Sequence, residues 1–225
     1  MSRRRLVFSL ILKIIVFVSA AIGIPMSALA DARGFMAGKT VFMFFTVQSN
    51  ILMAIVCLIG AIMLIRGTKI DPRWYVFKYV STVAITLTGV VFCFVLAPTL
   101  GPLAWNAQNI LTHVVVPLAA IADFYVSGLE ARLRMKHISL VIIPPILYAV
   151  YAGIGFVSNW QFAPGFNYPY FFLNWGSPAG AFGFTSELPF MGTVWWILVI
   201  LVFLYAVGSC YVVTLNGLRK KCLNK

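Results

Sequence analysis

Acidic side chains are scarce in this 225-residue sequence, which contains five Asp and Glu residues against 17 Lys and Arg. Charged residues of both signs make up only 10% of the chain, whereas hydrophobic residues make up 62%. Soluble domains carry about 25% charged residues, so this chain has too few to solvate a globular surface. The composition excludes a soluble domain and a disordered chain, and the mean hydropathy of +0.98 indicates a membrane protein.

Cysteine and histidine are also few, with four Cys and two His. Cys57, Cys93 and Cys210 fall in apolar segments and Cys222 in the basic tail, so no extracellular disulfide framework is expected. A single buried His without a second His or a carboxylate at ligand spacing is a weak metal site. The sequence therefore predicts neither a metal nor another cofactor.

Six apolar segments are long enough to cross a bilayer, which takes about 20 residues each. They are predicted at 6–29, 41–65, 74–97, 106–128, 138–157 and 190–215. The sequence thus predicts an all-α, polytopic membrane protein in which residues 1–225 form one domain of six transmembrane helices. It contains no signal for a particular oligomeric state.

The first apolar segment allows two interpretations. Three N-terminal arginines, an apolar run and Ala28-Leu29-Ala30 resemble a signal peptide with its cleavage site. The apolar stretch is longer than such signals usually have, and Ser19, Gly23 and Ser27 form a stripe of small residues suited to helix packing. A retained first helix is therefore favoured.

Basic residues are distributed unevenly between the two ends of the spans. Of the 17 Lys and Arg, 15 fall on the side of both termini and only Arg33 and Lys39 fall on the other. Because Lys and Arg favour the cytoplasmic side, both termini are predicted to be cytoplasmic in a plasma (cell) membrane. Lys13 is expected to reach toward the cytoplasmic head groups and Lys78 to lie at the membrane edge. The basic excess then reflects orientation, and no nucleic-acid partner is expected.

Polar side chains in the second and fourth spans indicate a candidate site. Thr46 lies about five residues into the second span and His113 about seven into the fourth. Both spans run inward from the external side, so the two residues are expected at one depth, about 8–11 Å below that end. Asn50 follows Thr46, and His113 follows Asn109, by one helical turn, which places each pair on one face. Pro117 is expected to free the carbonyl of residue 113 and to bend the helix there.

These residues predict a chemistry as well as a location. A buried imidazole favours its neutral form, which can accept the proton of a threonine hydroxyl and turn it into a nucleophile. Thr46 and His113 are therefore a candidate dyad for acyl transfer, with Asn50 or Asn109 orienting the imidazole or donating to an oxyanion. The alternative is that these side chains only form hydrogen bonds between helices.

Two further ionisable residues are predicted to have other roles. Asp123 lies about 15 Å deeper than His113, at 1.5 Å per residue, and is expected to pair with a nearby polar group or with Arg132. His137 falls in a basic loop beside Arg134 and Lys136. It is expected to be solvated or to contact head groups.

One long external connection, residues 158–189, is rich in aromatic side chains and carries a single charge, Glu187. Loops of this length are commonly lids or binding loops, and Trp and Tyr favour the membrane interface. The loop is expected to fold over the candidate dyad, with Tyr168, Tyr170 and Phe171 as a lid above the substrate. The alternative is an aromatic belt that only anchors the helices.

Three segments together resemble the androgen-induced and androgen-dependent membrane proteins and their prokaryotic six-helix relatives. They are Phe45-Thr46-Val47-Gln48-Ser49-Asn50, Asn109 through His113 to Val116-Pro117, and the Tyr-Pro-Tyr-Phe-Phe-Leu-Asn sequence at 168–174. The resemblance covers most of the chain and implies an intramembrane threonine hydrolase of lipid esters, such as fatty acid esters of hydroxy fatty acids. It implies Thr46 as the nucleophile and His113 as the base, although Ser49 is a second hydroxyl near the site. The expected partners are the lipid ester and the bilayer.

Two other functions remain open from the sequence. A small proton-coupled transporter or channel would use the polar second and fourth spans as its pathway, with Asp123 and His113 as coupled groups. A non-catalytic membrane scaffold would bind a partner through the long loop, and its function would not depend on Thr46 or His113.

Overall fold

A computed structural model describes residues 1–30, 38–68, 70–129 and 132–223. In this part of the chain, six helices are long and apolar enough to cross a membrane. They are α1 (Arg3–Leu29), α2 (Phe45–Ile65), α3 (Pro72–Ala104), α4 (Ala107–Gly128), α5 (Met135–Val157) and α6 (Thr193–Leu223). The predicted all-α, multi-pass class with six membrane-length helices is confirmed. Arg33, Lys69 and Lys225, which entered the charge count, lie outside the described residues.

α6 continues to residue 223 rather than 215, and most other helix ends lie within three residues of the prediction. Two further boundaries differ by more than that, and each has a local cause. α2 begins at residue 45 rather than 41, because residues Gly38–Met43 form a 3-10 turn. α3 continues to residue 104 rather than 97, because it changes its winding instead of ending. A π-helical turn at Phe92–Leu96 is followed by a short α segment and then a 3-10 turn at Gly101–Ala104.

α1 and α4 run antiparallel and in close contact. The small side chains of the predicted stripe, Ser19, Gly23 and Ser27, are all buried. A Cβ atom on Gly23 would lie only 2.7 Å from Cγ2 of Thr112 on α4, so a glycine is required at this crossing. The predicted packing role of the stripe is confirmed.

Apolar side chains fill the bundle in separate clusters of buried residues. One joins α1, α2 and α4 and includes Val16, Ala20, Met53, Val56 and Ala120. Another joins α3, α4 and α6 and includes Tyr79, Val83, Phe124, Leu204 and Leu215. Large apolar side chains such as Phe8, Ile14, Leu147 and Val202 are exposed on the outside of the bundle, as expected of a surface that faces lipid.

A cluster of three charged side chains, Lys13, Lys78 and Asp123, is buried between α1, α3 and α4. Their exposed fractions are 3%, 3% and 0%. Lys13 Nζ donates to both carboxylate oxygens of Asp123 at 2.6 Å, and Lys78 Nζ donates to Oδ2 of the same carboxylate. We call this group the buried charge cluster.

The buried charge cluster bears on three predictions. Lys13 does not extend to the head groups, and Lys78 is buried inside the bundle. Of the two partners predicted for Asp123, the nearby polar group is found, since Ser9 Oγ donates to its carboxylate at 2.6 Å, and the charged partners are these lysines rather than Arg132. The cause is the antiparallel crossing, which brings the first half of α1 and of α3 to the level of the second half of α4. A carboxylate inside the bundle attracts the two ammonium groups at that level.

The long loop folds onto the end of the bundle where α2 begins. Phe162, Tyr170 and Phe172 of the loop are buried in a cluster with Phe44 and Tyr148. Gly155 on α5 allows this contact, because a Cβ atom there would lie 2.7 Å from the Phe162 ring. The loop thus covers the end of the bundle that carries Thr46.

Candidate active site

His113 lies on an irregular part of α4. Residues Leu111–Val115 form a π-helical turn directly before Pro117. A proline removes one backbone donor and clashes with the preceding turn, so the widened turn is the local consequence of that residue. The backbone irregularity predicted at residue 113 is present, and π turns occur frequently at functional sites.

α3 approaches α4 closely at the level of His113. A Cβ atom on Gly89 of α3 would lie 3.1 Å from the His113 carbonyl oxygen and 3.1 Å from Pro117 Cβ. Three residues further along α3, the Phe92 ring stacks on the His113 ring with centroids 4.1 Å apart and an interplanar angle of 24°. The imidazole is therefore held in one plane by an apolar surface.

The hydrogen bonds of His113 define its tautomer. Its Nδ1 atom lies 3.1 Å from the carbonyl oxygen of Asn109 and 2.9 Å from Thr112 Oγ1. The carbonyl can only accept, and the single hydroxyl proton of Thr112 is donated to the Gln108 carbonyl at 2.8 Å. This arrangement favours the tautomer with the proton on Nδ1. Nε2 keeps its lone pair, and both hydrogen bonds of the ring to described residues are made at Nδ1.

Thr46 lies in the first turn of α2 and is 4% exposed. Its backbone N–H donates to the Tyr170 hydroxyl at 3.3 Å. Its Oγ1 atom is buried and makes no hydrogen bond of normal geometry with a described residue, although the Thr46 side chain interacts with the Tyr170 hydroxyl. Buried hydroxyl groups are normally paired, so an unpaired one beside a cavity is a candidate for contact with a ligand.

Asn50 connects the two candidate residues. Its Nδ2 donates to the carbonyl oxygen of Thr46 at 2.7 Å and to that of Thr112, next to His113, at 3.1 Å. This side chain therefore holds α2 against α4. Its amide nitrogen is occupied by these two bonds, so the predicted contact with the imidazole is absent.

The side chains of Asn109 and Ser49 also have hydrogen-bond partners other than those predicted. The side-chain amide of Asn109 donates to the Ala104 carbonyl at 2.9 Å, and only its backbone oxygen contacts the imidazole. Ser49 Oγ donates to the Thr46 carbonyl at 3.0 Å and lies 2.7 Å from Thr88 Oγ1. Ser49 lines a different pocket from the cavity that Thr46 and His113 share.

Thr46 and His113 line one cavity of about 560 Å³. Part of its wall is formed by the exposed end of α3, where Leu100 and Leu103 are 48% and 86% exposed. The cavity therefore reaches the surface of the bundle. It is lined by both polar and apolar side chains, including Asn106, Gln108, Asn109, Thr112, Phe92, Leu96 and Val47.

The three loop residues predicted as a lid also line this cavity, together with Phe166 and Leu188. The Tyr170 ring stacks on Phe172 with centroids 5.0 Å apart. Burial raises the pKa of Tyr170 to about 12 and also raises the pKa of Tyr168. Tyr170 therefore keeps its phenolic proton at neutral pH and remains a hydrogen-bond donor.

Thr46 and Tyr170 also border a second, smaller pocket of about 50 Å³. Its other walls are almost entirely apolar and come from α3, α5 and α6, including Leu87, Val91, Ala149, Ile197 and Leu201. Thr46 is thus located between a larger amphipathic cavity and a smaller apolar pocket, and its hydroxyl oxygen is buried.

Phe92 was missed from the sequence, and Tyr170 was predicted only as a lid residue. Phe92 stacks on His113, and the Tyr170 hydroxyl contacts the backbone of Thr46. Neither contact has a signal in its own segment, because each depends on how distant elements cross. Gly89 was a usable signal, since a small residue in an apolar helix commonly marks a close helix crossing.

Comparisons with models of known protein families, with curated proteins and with solved structures gave no match.

Proposed function

We propose that the chain is an intramembrane threonine hydrolase of lipid esters, with Thr46 as nucleophile and His113 as general base. The observation that carries the proposal is that both residues line one cavity, with complementary hydrogen-bonding states. The Thr46 hydroxyl makes no hydrogen bond of normal geometry with a described residue, and the contacts of the His113 ring favour a proton on Nδ1 and a lone pair on Nε2.

The reaction begins when Thr46 Oγ1 attacks the ester carbonyl carbon and His113 Nε2 accepts the hydroxyl proton. The tetrahedral intermediate expels the alcohol, which takes the proton from the imidazolium and leaves an acyl-threonine. Water then attacks the acyl group with His113 again as base. The fatty acid is released and the Thr46 hydroxyl is regenerated.

Tyr170 is the best placed donor for the negative oxygen of the tetrahedral intermediate. Its hydroxyl accepts from the Thr46 backbone N–H at 3.3 Å and also interacts with the Thr46 and Tyr148 side chains; in this proposal its own proton is donated to the oxyanion. The pKa of about 12 keeps that proton in place. This gives Tyr170 a role beyond that of a lid residue, and one such donor is worth about 10²–10³ in rate.

The substrate class follows from the cavity walls. An ester with long acyl chains needs apolar surface for the chains and polar groups at the carbonyl. The cavity supplies both, and it opens beside the exposed apolar side chains of Leu100 and Leu103. Fatty acid esters of hydroxy fatty acids, which the sequence resemblance implies, have this form. In the same proposal both termini are cytoplasmic and the site lies near the external face of the cell membrane.

The test is hydrolysis of such an ester by the purified full-length protein in detergent. Thr46→Ala and His113→Ala are each expected to lower kcat/KM by at least about 10³-fold. Ser49→Ala and His137→Ala are the matched controls and should retain at least about half of the wild-type rate. Circular dichroism and size-exclusion profiles identify variants that fail to fold.

The same variants separate the alternatives. Ester hydrolysis that is unchanged in Thr46→Ala would contradict the proposal. If the wild type hydrolyses no lipid ester but moves solutes in proteoliposomes, the transporter hypothesis should replace the hydrolase proposal. The transporter hypothesis requires Asp123 and His113 to act as coupled groups. Asp123 is instead paired with Lys13 and Lys78, neither of which is a hydrogen-bond partner of His113.

A further inference from the structure

We propose a second ligand site at the opposite end of the bundle, where a cavity beside the buried charge cluster binds an anionic amphiphile. The ligand is a head group with one negative charge, either a lipid phosphate or a fatty-acid carboxylate, attached to an acyl chain. This inference does not depend on the hydrolase proposal.

The first observation is a charge imbalance. The buried charge cluster contains two ammonium groups and one carboxylate, all at most 3% exposed. Its hydrogen bonds are satisfied, because each ammonium makes three: Lys13 to Ser9 and Asp123, and Lys78 to Asp123 and Ser127. Its charge is not balanced, and an uncompensated charge inside a membrane protein is costly.

The second observation is a cavity of about 410 Å³ next to that positive charge. Lys13, Lys78 and Ser127 line it, and none of the described residues in its wall is acidic. The rest of the wall is mixed, with Trp74, Tyr75 and Thr68 as well as the apolar side chains Leu6, Val56, Met63, Leu64 and Ile70. A negative head group with an apolar tail matches this combination.

The geometry also explains which interactions would hold the ligand. Since the ammonium donors are already used, the anion is attracted mainly by the net positive charge, and its chain by the apolar wall. Such a site discriminates by charge more than by the shape of the head group. Phosphatidylglycerol and oleate are therefore both expected to bind, and zwitterionic phosphatidylcholine is not.

The experiment is native mass spectrometry of the full-length protein in a neutral detergent, titrated separately with phosphatidylglycerol, oleate, phosphatidylcholine and inorganic phosphate. The wild type should retain one molecule of phosphatidylglycerol or oleate at least about tenfold more tightly than phosphatidylcholine. Comparing the two anions identifies the source, and weak binding of inorganic phosphate would show that the chain is needed.

Two variants test the site by separate routes. Lys78→Met leaves a neutral Lys13–Asp123 pair and should weaken binding of the anionic lipid by at least about tenfold. Thr68→Trp, at an exposed position in the cavity wall, should weaken it by obstruction without changing the charge. Lys136→Met removes an exposed lysine and should leave binding unchanged.

Equal binding of phosphatidylcholine and phosphatidylglycerol would overturn the proposal. So would wild-type binding in folded Lys78→Met and Thr68→Trp. A wild type that retains no anion would also overturn it.

Discussion

Replacing Gly89 with alanine tests whether the close crossing of α3 and α4 positions His113. The added methyl carbon would lie 3.1 Å from the His113 carbonyl oxygen and 3.1–3.2 Å from Cβ and Cγ of Pro117. Carbon contacts are optimal at about 3.5–4.0 Å. Neither contacted group is the end of a flexible side chain, so the helices must separate by about half an ångström.

Two opposing effects set the magnitude. Alanine in a helix is favoured over glycine by about 0.5–1 kcal/mol, whereas overpacking at a tight contact costs about 1–3 kcal/mol. Gly89→Ala is therefore expected to destabilise the fold by about 0–2.5 kcal/mol. Because misplacement of a catalytic group by about 1 Å can cost 10²-fold in rate, a smaller shift of His113 should lower kcat by about tenfold.

The assay is ester hydrolysis per folded molecule, together with Tm in the same detergent. Gly217→Ala on α6 is the matched control, because no atom lies within 4 Å of the position its Cβ would take. That variant should keep its activity and be at least as stable as the wild type. Wild-type kcat in Gly89→Ala would refute the reasoning that this crossing positions His113.

Three other substitutions have defined outcomes. Tyr170→Phe should lower kcat about 100-fold by removing a donor to the oxyanion. Its Tm should change little, because the ring still stacks on Phe172. Unchanged kinetics would show that Tyr170 has no role in the mechanism. Asp123→Asn should lower the free energy of unfolding by about 3–5 kcal/mol, because two buried ammonium groups lose their carboxylate. Denaturant titration measures this loss, and a wild-type midpoint would contradict the ion pairing. Gly155→Ala should detach the long loop, because its Cβ would lie 2.7 Å from the Phe162 ring. Limited proteolysis of the loop should then be faster. An unchanged cleavage rate would argue against this docking contact.

Features set by the composition and periodicity of single segments could be predicted from the sequence. The six spans follow from the apolar length that a bilayer requires. Thr46 and His113 could be placed at one level because their depths depend only on the helical rise and on the order of the spans. Pro117 indicated the irregular backbone at His113 because a proline acts within its own helix.

Features that depend on pairs of helices could not be predicted in the same way. Lys13 and Lys78 lie near the starts of their spans, and from one segment alone each is expected to reach the head groups. Only the crossing of α1 and α3 with α4 shows that Asp123 holds both. The roles of the Asn50 and Asn109 side-chain amides were not predicted correctly for a similar reason. Asn50, for example, donates to backbone carbonyl oxygens of two different helices.

The most direct test of the account is the site at which a fluorophosphonate probe attaches to the purified protein. Mass spectrometry of the labelled wild type should place the adduct on Thr46. The adduct should be absent from Thr46→Ala and His113→Ala, and it should remain in Ser49→Ala. Labelling that persists in Thr46→Ala and disappears in Ser49→Ala would contradict the central claim, as would a folded wild type that takes up no probe.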